Sequence, residues 1–218
     1  MKSILDKTFL VFDVETTGLA PQLGDRMVEI ALIQFRNGKI MRKFETLINP
    51  QRPMSYSAYL VHGISDDMLK DAPTSQEILP SLYEWFQESY VVGHNVKFDL
   101  KFLNHEYALA GYEQVEHDCT IDTIKMARGF MPQLKKFSLE RVANHLGVNA
   151  RQCHRAMSDV EMTHEVFSQL LEEARQRNLH VEEKFLNLFG KKRVVRQKKR
   201  EKVNLIEKKK KKEIRNIK

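Results

Sequence analysis

The stretch FLVFDVETTG, residues 9–18, decides the fold. Its first residues are bulky and apolar, as in a central strand covered on both faces. Side chains alternate along a strand, so Phe9, Val11, Asp13 and Glu15 share one face, and Leu10, Phe12 and Val14 share the other. Asp13 and Glu15 therefore point the same way, with Cβ atoms roughly 6–7 Å apart at ~3.3 Å rise per residue. Two like charges on an apolar strand are costly unless something neutralises them. One reading is an edge strand with a wet face. The other is a divalent cation between the carboxylates, and oxygen-only ligands point to Mg2+ or Mn2+ rather than zinc.

MVEIALIQF (27–35) reads as a second strand, Asn37-Gly38 as a tight hairpin turn, and KIMRKFETLI (39–48) as the returning strand. The pattern then becomes helical over 74–88, with Pro80 disturbing the early turns. YVVG (90–93) is a short buried strand, 95–111 a helix stopped at Gly111, and HDCTID (117–122) a last strand. SLERVANHLG is a helix with Ser138 as N-cap and Gly147 as C-cap. Residues 158–174 form another, opened by a Ser158-x-x-Glu161 capping box and striped by Val160, Thr163, Phe167, Leu170, Leu171 and Ala174. A meander followed by alternating helices and strands predicts a mixed central sheet with helices on its faces.

The chain has 218 residues, 42% of them hydrophobic, which suits one good-sized domain with its own core. No apolar run approaches the ~20 residues of a membrane span. The N-terminus MKSILDKTFLVFDVE is charged within its first strand, unlike a signal peptide. Cys119 and Cys153 form no CxxC pair, which argues against a zinc site or disulfide framework and fits a reducing cytoplasm. Net charge is +7, unevenly spread. Residues 191–218 hold 15 Lys and Arg against three acids, leaving the remainder 21 of the 36 bases and 26 of the 29 acids. This shift predicts a domain over 1–190 and a basic, disordered or partly helical tail over 191–218. The tail reads as a solubilising extension, or as a tether adding a salt-dependent term to nucleic-acid affinity. Its VNLI segment offers few apolar anchors for protein docking.

Further ligands are available. GHNVKFD supplies Asp99 in the first turn of a helix, where an acid is also favoured simply by the helix dipole. HRAMSD supplies His154 and Asp159. Five residues apart on one helix they would stand about 140° apart at ~3.6 residues per turn. They converge only if His154 lies on the preceding loop and Asp159 in the first turn.

DVETTG, HNVKFD and HRAMSD, in this order, resemble the three motifs of the DEDD superfamily of 3′→5′ exonucleases, in its histidine-containing branch. The likeness spans about residues 6–175 and is greatest to the proofreading epsilon subunit of bacterial DNA polymerase III and the exonuclease domain of Gram-positive replicative polymerases. It implies a ribonuclease H-like α/β/α sandwich with a mixed five-stranded sheet. It implies that Asp13, Glu15, Asp99 and Asp159 hold two divalent cations, Mg2+ or Mn2+, with His154 as general base. Imidazole suits that task because it exchanges protons near neutral pH. The resemblance also places Thr16 near the terminal 3′-hydroxyl, Leu19 against the base, and His62 of VHGI in the substrate pocket. For Leu19 and His62, core packing is the alternative. His94 and Asn95 begin the second motif, where Asn95 contacts substrate or positions Asp99. The substrate implied is a DNA 3′ end, with RNA or short oligoribonucleotides as the alternative and a replicative DNA polymerase as partner. A non-catalytic nucleic-acid-binding module is disfavoured by the complete ligand set. The branch with a tyrosine base needs Tyr-x-x-x-Asp, and His154 stands in its place.

Overall fold

The computed structural model describes residues 2–115, 120–149 and 154–190. Five strands form one sheet in the order β3-β2-β1-β4-β5: β1 (Thr8–Thr16), β2 (Met27–Arg36), β3 (Lys39–Leu47), β4 (Tyr90–Gly93) and β5 (Thr120–Asp122). β1, β2 and β3 pair antiparallel, and β4 and β5 run parallel to β1. This is the mixed five-stranded sheet expected from the sequence. The eight helices among the described residues are α1 (Tyr56–His62), α2 (Asp66–Leu69), α3 (Ser75–Glu88), α4 (Val96–Leu109), α5 (Thr123–Phe130), α6 (Leu139–Leu146), α7 (Ala156–Gln176) and α8 (Glu182–Phe189).

Alternation along β1 separates two cores. Leu10, Phe12 and Val14 join Ile30 and Leu32 of β2 beneath α3 and α4, where Leu79, Phe86, Leu100 and Tyr107 are buried. Phe9 and Val11 join Ile33 and Phe35 on the opposite face, beneath α5–α8. There Phe167 of α7 meets Phe9 edge-on at 5.0 Å between ring centroids. Each such side chain contributes about 1.5–3 kcal/mol on burial, so β1 is held from both sides. β3 is the exposed edge, and Lys39, Arg42 and Lys43 along it discourage pairing with another chain.

Register places the acids at the sheet's exit. β4 pairs with β1 only from Phe9 to Val11, so that edge of β1 is open beyond Val11. β1 runs on to Thr16, carrying Asp13 and Glu15 into the space at the carboxyl end of β4. After β1 the chain passes to β2, and after β4 it passes to β5 on the other side, and such a divergence point between parallel neighbours leaves a crevice at their carboxyl ends.

α7 begins at Ala156, with Arg155 as N-cap, so Ser158 lies inside the helix and forms no capping box. The physical reason is that the first helical N–H, on Ala156, is capped by the Glu29 carboxylate of β2 at 2.9 Å. A partner so distant in sequence outcompetes the local serine. Thr74 caps α3 through a box with Glu77, and the helix runs on through Pro80. β5 occupies Thr120–Asp122; the earlier part of its expected span, the two cysteines and the basic tail lie outside the described residues. α1, α2, α5 and α8 had no sequence-based expectation. No helix among the described residues is long and apolar enough to cross a membrane.

Candidate active site

Asp13 and Glu15 emerge side by side from the face of β1 that α7 covers, and Asp159 enters from the first turn of α7. One carboxylate oxygen from each lies within 4.8 Å of the others. Asp99 reaches in from the other layer, on the first turn of α4, where its Oδ1 accepts a hydrogen bond from Val14 N–H at 3.3 Å. It stands outside the group of three but close enough to Asp13 to repel it. Asp13 is thus the shared corner of two arrangements, one with Glu15 and Asp159 and one with Asp99.

The electrostatics are those of crowded, buried carboxyl groups. Burial, then the repulsion of Asp99, Glu15 and Asp159, pushes the Asp13 carboxyl well above its usual range. Burial pushes Glu15 up to about 8, reinforced by Asp159 and Glu29. Asp99 is also raised to about 8, mainly by burial, although hydrogen bonds from its own and the Val14 backbone N–H oppose the shift. Asp159 is raised by burial, and the bond from His154 N–H offsets part of it. Four crowded carboxylates of hard oxygen, with no nitrogen or sulfur donor among them, fit a divalent cation such as Mg2+ or Mn2+.

A pH signature follows. Between the ordinary glutamate value of 4.5 and about 8, the folded chain retains a proton on Glu15 that the unfolded chain has released. Without cation, stability therefore falls as pH rises through this window. A cation held by these carboxylates would take the proton's place and reverse the loss. Thermal unfolding in chelator should show a lower midpoint at about pH 8 than at about pH 5, with Mg2+ or Mn2+ stabilising most at the higher pH. Equal stabilisation at both would refute the cation site.

His154 lies on the segment leading into α7, as its pairing with Asp159 requires. It is exposed, its φ of 65° is left-handed, and its backbone N–H donates to Asp159 Oδ2 at 2.9 Å. That bond ties the histidine to Asp159 while leaving its ring free to face solvent.

Beside the carboxylates is a cavity of about 310 Å³, walled by Glu15, Thr16, Gly18, Leu19, Val61, His62 and Phe98 among others. Leu19 is 78% exposed, so core packing does not explain it. His62 is buried, and both ring nitrogens serve the backbone. Ile64 N–H donates to Nδ1 at 3.0 Å, so Nε2 carries the proton and donates to the Thr16 carbonyl at 3.2 Å. It shapes the cavity with its ring edge. Thr16 Oγ1 donates to the Gly18 carbonyl at 2.6 Å. Gly18 explains the Thr-Thr-Gly turn: a Cβ there would sit 2.4 Å from Asp25 Oδ2. Asp25 must stand that close because it accepts from Ala20 N–H and pairs with Arg52, holding the turn that presents Leu19.

Asn95 is exposed at the N-cap of α4 with a left-handed φ of 70°, and is not a wall of the cavity. Its N–H donates to Asp122 Oδ1 at 3.2 Å. His94 Nε2 donates to the Phe137 carbonyl and Nδ1 meets Thr123 Oγ1, both at 2.8 Å. Together the pair fixes where α4 begins, and so where Asp99 points.

Glu29 and Arg155 carry a contribution that motif reading missed. Glu29 is 1% exposed, opposite Glu15 in the β1–β2 register. Arg155 grips it with Nε at 3.2 Å to both oxygens and Nη2 at 2.7 Å to Oε1. The ion pair, with the cap on Ala156, pins the start of α7 and hence the spacing of His154 and Asp159. The available signal was a lone glutamate in the otherwise apolar run MVEIALI.

A sequence model described as exonuclease matches residues 10–167. DNA polymerase III PolC-type from Oceanobacillus iheyensis is 35% identical over 162 residues, covering 74% of this chain and 11% of the relative. The PolC-type enzyme of Bacillus subtilis is 32% identical over 185 residues, covering 85% and 13%. The chain therefore spans only about an eighth of these relatives. Among solved structures, Exonuclease X in complex with 5′-overhanging duplex DNA superposes with a TM-score of 0.63 at 26% identity, covering 77% of this chain and 93% of that one. E. coli Exonuclease I with an oligonucleotide superposes at 0.67 and 22% identity, covering 78% and 42%, and shares the fold. Because the matched span runs from the middle of β1 to Phe167 on α7, and so takes in all three acidic motifs, the chain belongs to the exonuclease family, in the DEDD superfamily that those motifs resemble.

Proposed function

We propose that this chain is a divalent-cation-dependent 3′→5′ exonuclease that removes nucleoside 5′-monophosphates from single-stranded or frayed DNA ends. The observation that carries the reading is the convergence of Asp13, Glu15 and Asp159 within 4.8 Å at the mouth of a nucleotide-sized cavity. Asp13, Glu15 and Asp159 would hold one Mg2+ or Mn2+, and Asp13 with Asp99 a second. Such cations polarise a phosphoryl oxygen, lower the pKa of water, and stabilise a leaving oxygen.

The chain's own groups supply the rest. Leu19 and Phe98 offer apolar surface for the terminal base, and Thr16 lies where the terminal sugar would rest. Asn95 acts by positioning Asp99. The His154 imidazole receives the proton of the attacking water, and its loop position lets it approach once substrate fills the cavity. A cavity walled by Leu19, His62 and Phe98 and sized for one nucleotide favours a free 3′ end over an internal bond. Likeness to PolC-type polymerases supports a proofreading or repair role beside a replicative polymerase. The domain occupies residues 1–190, and residues 191–218 tether nucleic acid. RNA is the second substrate reading, since the ligand set alone does not read the sugar.

The test is a time course on matched 5′-labelled DNA and RNA, single-stranded, paired and mismatched. DNA should shorten from its 3′ end with release of 5′-mononucleotides. Chelation should stop the reaction, and Mg2+ or Mn2+ should restore it. Internal cleavage, or turnover unaffected by chelator, would defeat the proposal, and faster turnover of RNA would favour the second reading.

A further inference from the structure

We propose that the groove between α4 and the short 3₁₀ turn Pro21–Leu23 carries the phosphates of the DNA strand behind its terminal nucleotide, with Lys97 and Lys101 as the contacts. This rests on the exonuclease reading above and adds the path of the substrate to it. The groove has a volume of about 600 Å³ and is lined by Pro21, Gln22, Lys97, Lys101, Asn104 and His105 among others, with no acid in its walls. Lys97 and Lys101 are exposed and one helical turn apart, so their ammonium groups stand on one face. Neither is ion-paired with an acid among the described residues. Lys97 also borders a second hollow, with Lys125, Arg128 and Gly190. Its one acid, Asp122, has Oδ1 occupied by the N–H groups of Asn95 and Ile124.

The cations are therefore local, on a chain whose first 190 residues hold 21 bases against 26 acids. That complementarity selects a polyanion. Gly190 in the second hollow is also where the sequence passes into the segment bearing 15 Lys and Arg. Continuity with the candidate active site gives direction. Leu19 walls the cavity and Pro21 the groove, two residues on; Phe98 walls the cavity and Lys97, its neighbour, the groove. A strand with its last base against Leu19 and Phe98 crosses that shared rim into the lysine groove. The other exit, over Tyr56, Tyr59 and Leu60 of α1, is apolar and exposed and offers stacking without charge.

The experiment uses the full chain carrying Asp13→Ala, so that DNA survives. Affinity for a fluorescent oligodeoxythymidylate of about 12 nucleotides is measured between about 50 and 200 mM salt. For single strands, the slope of log affinity against log salt should shrink by about 0.7 per lysine removed, so by about 1.4 in Lys97→Gln/Lys101→Gln and half that in Lys101→Gln. Unfolding midpoints should match the parent, and the single variant keeps the test valid if the double variant misfolds. An unchanged slope in folded variants, with the parent still binding and the wild type still cleaving, overturns the groove alone and places the strand over α1. A parent that neither binds nor, with Asp13 restored, cleaves overturns both readings.

Discussion

Asp13→Ala should cut mononucleotide release by about 10⁴-fold or more, because it removes a member of a unit whose parts act together. Asp13 is the carboxylate common to both halves of the cluster, within 4.8 Å of Glu15 and Asp159 and repelled by Asp99. Losing Glu15 alone would still leave the Asp13–Asp99 side standing, whereas losing Asp13 disables both. The same change removes a carboxylate that burial and four like charges disfavour, so the cation-free variant should melt at or above the wild type. A loss of rate without a loss of stability separates chemistry from misfolding. Rates within tenfold of wild type in Mg2+ would show that the cations lie elsewhere.

Arg155→Ala should have the largest effect on stability among single changes near the site, about 3 kcal/mol. The arginine makes three contacts with Glu29, whose side chain is 1% exposed, and its loss strands that charge beside Glu15 with one backbone N–H for company. The guanidinium is itself 40% exposed, and solvent screening holds the cost at the lower end of the range for breaking buried pairs. At about 2–4 °C per kcal/mol for a chain of this size, the midpoint should drop by roughly 6–12 °C. The double change Glu29→Ala/Arg155→Ala should recover part of the loss, since no charge is then stranded. Cleavage should fall in both, because the start of α7 sets where His154 and Asp159 stand. A drop below about 1 kcal/mol for Arg155→Ala would mean that water reaches Glu29 and replaces the pair.

Both results turn on contacts between residues far apart in the chain, which is where sequence reading and structure part company. β1 was legible because alternation of side chains is local: FLVF can only be covered on two faces, and Asp13 and Glu15 then share one side. α6 was legible for the same reason, its Ser138 and Gly147 boundaries appearing as expected, with Gly147 at a φ of 72°. The start of α7 is not legible locally because the residue that caps it, Glu29, lies 127 positions earlier. α1 carries no helical signature, because its seven residues leave Tyr56 and Leu60 to solvent and show no single buried stripe.

The available chemistry is written in local pattern: four carboxylates and a histidine in three motifs, on a strand and two helix starts whose periods show in neighbouring residues. The tertiary structure alone decided their distances, the left-handed turn at His154, the engagement of both His62 nitrogens, and the Glu29–Arg155 clamp. The physical reason is range. Side-chain direction follows from backbone geometry within a few residues, but burial, repulsion and hydrogen bonding act through space, and only the packed layers fix which acids are forced together and which charge is placed to hold them.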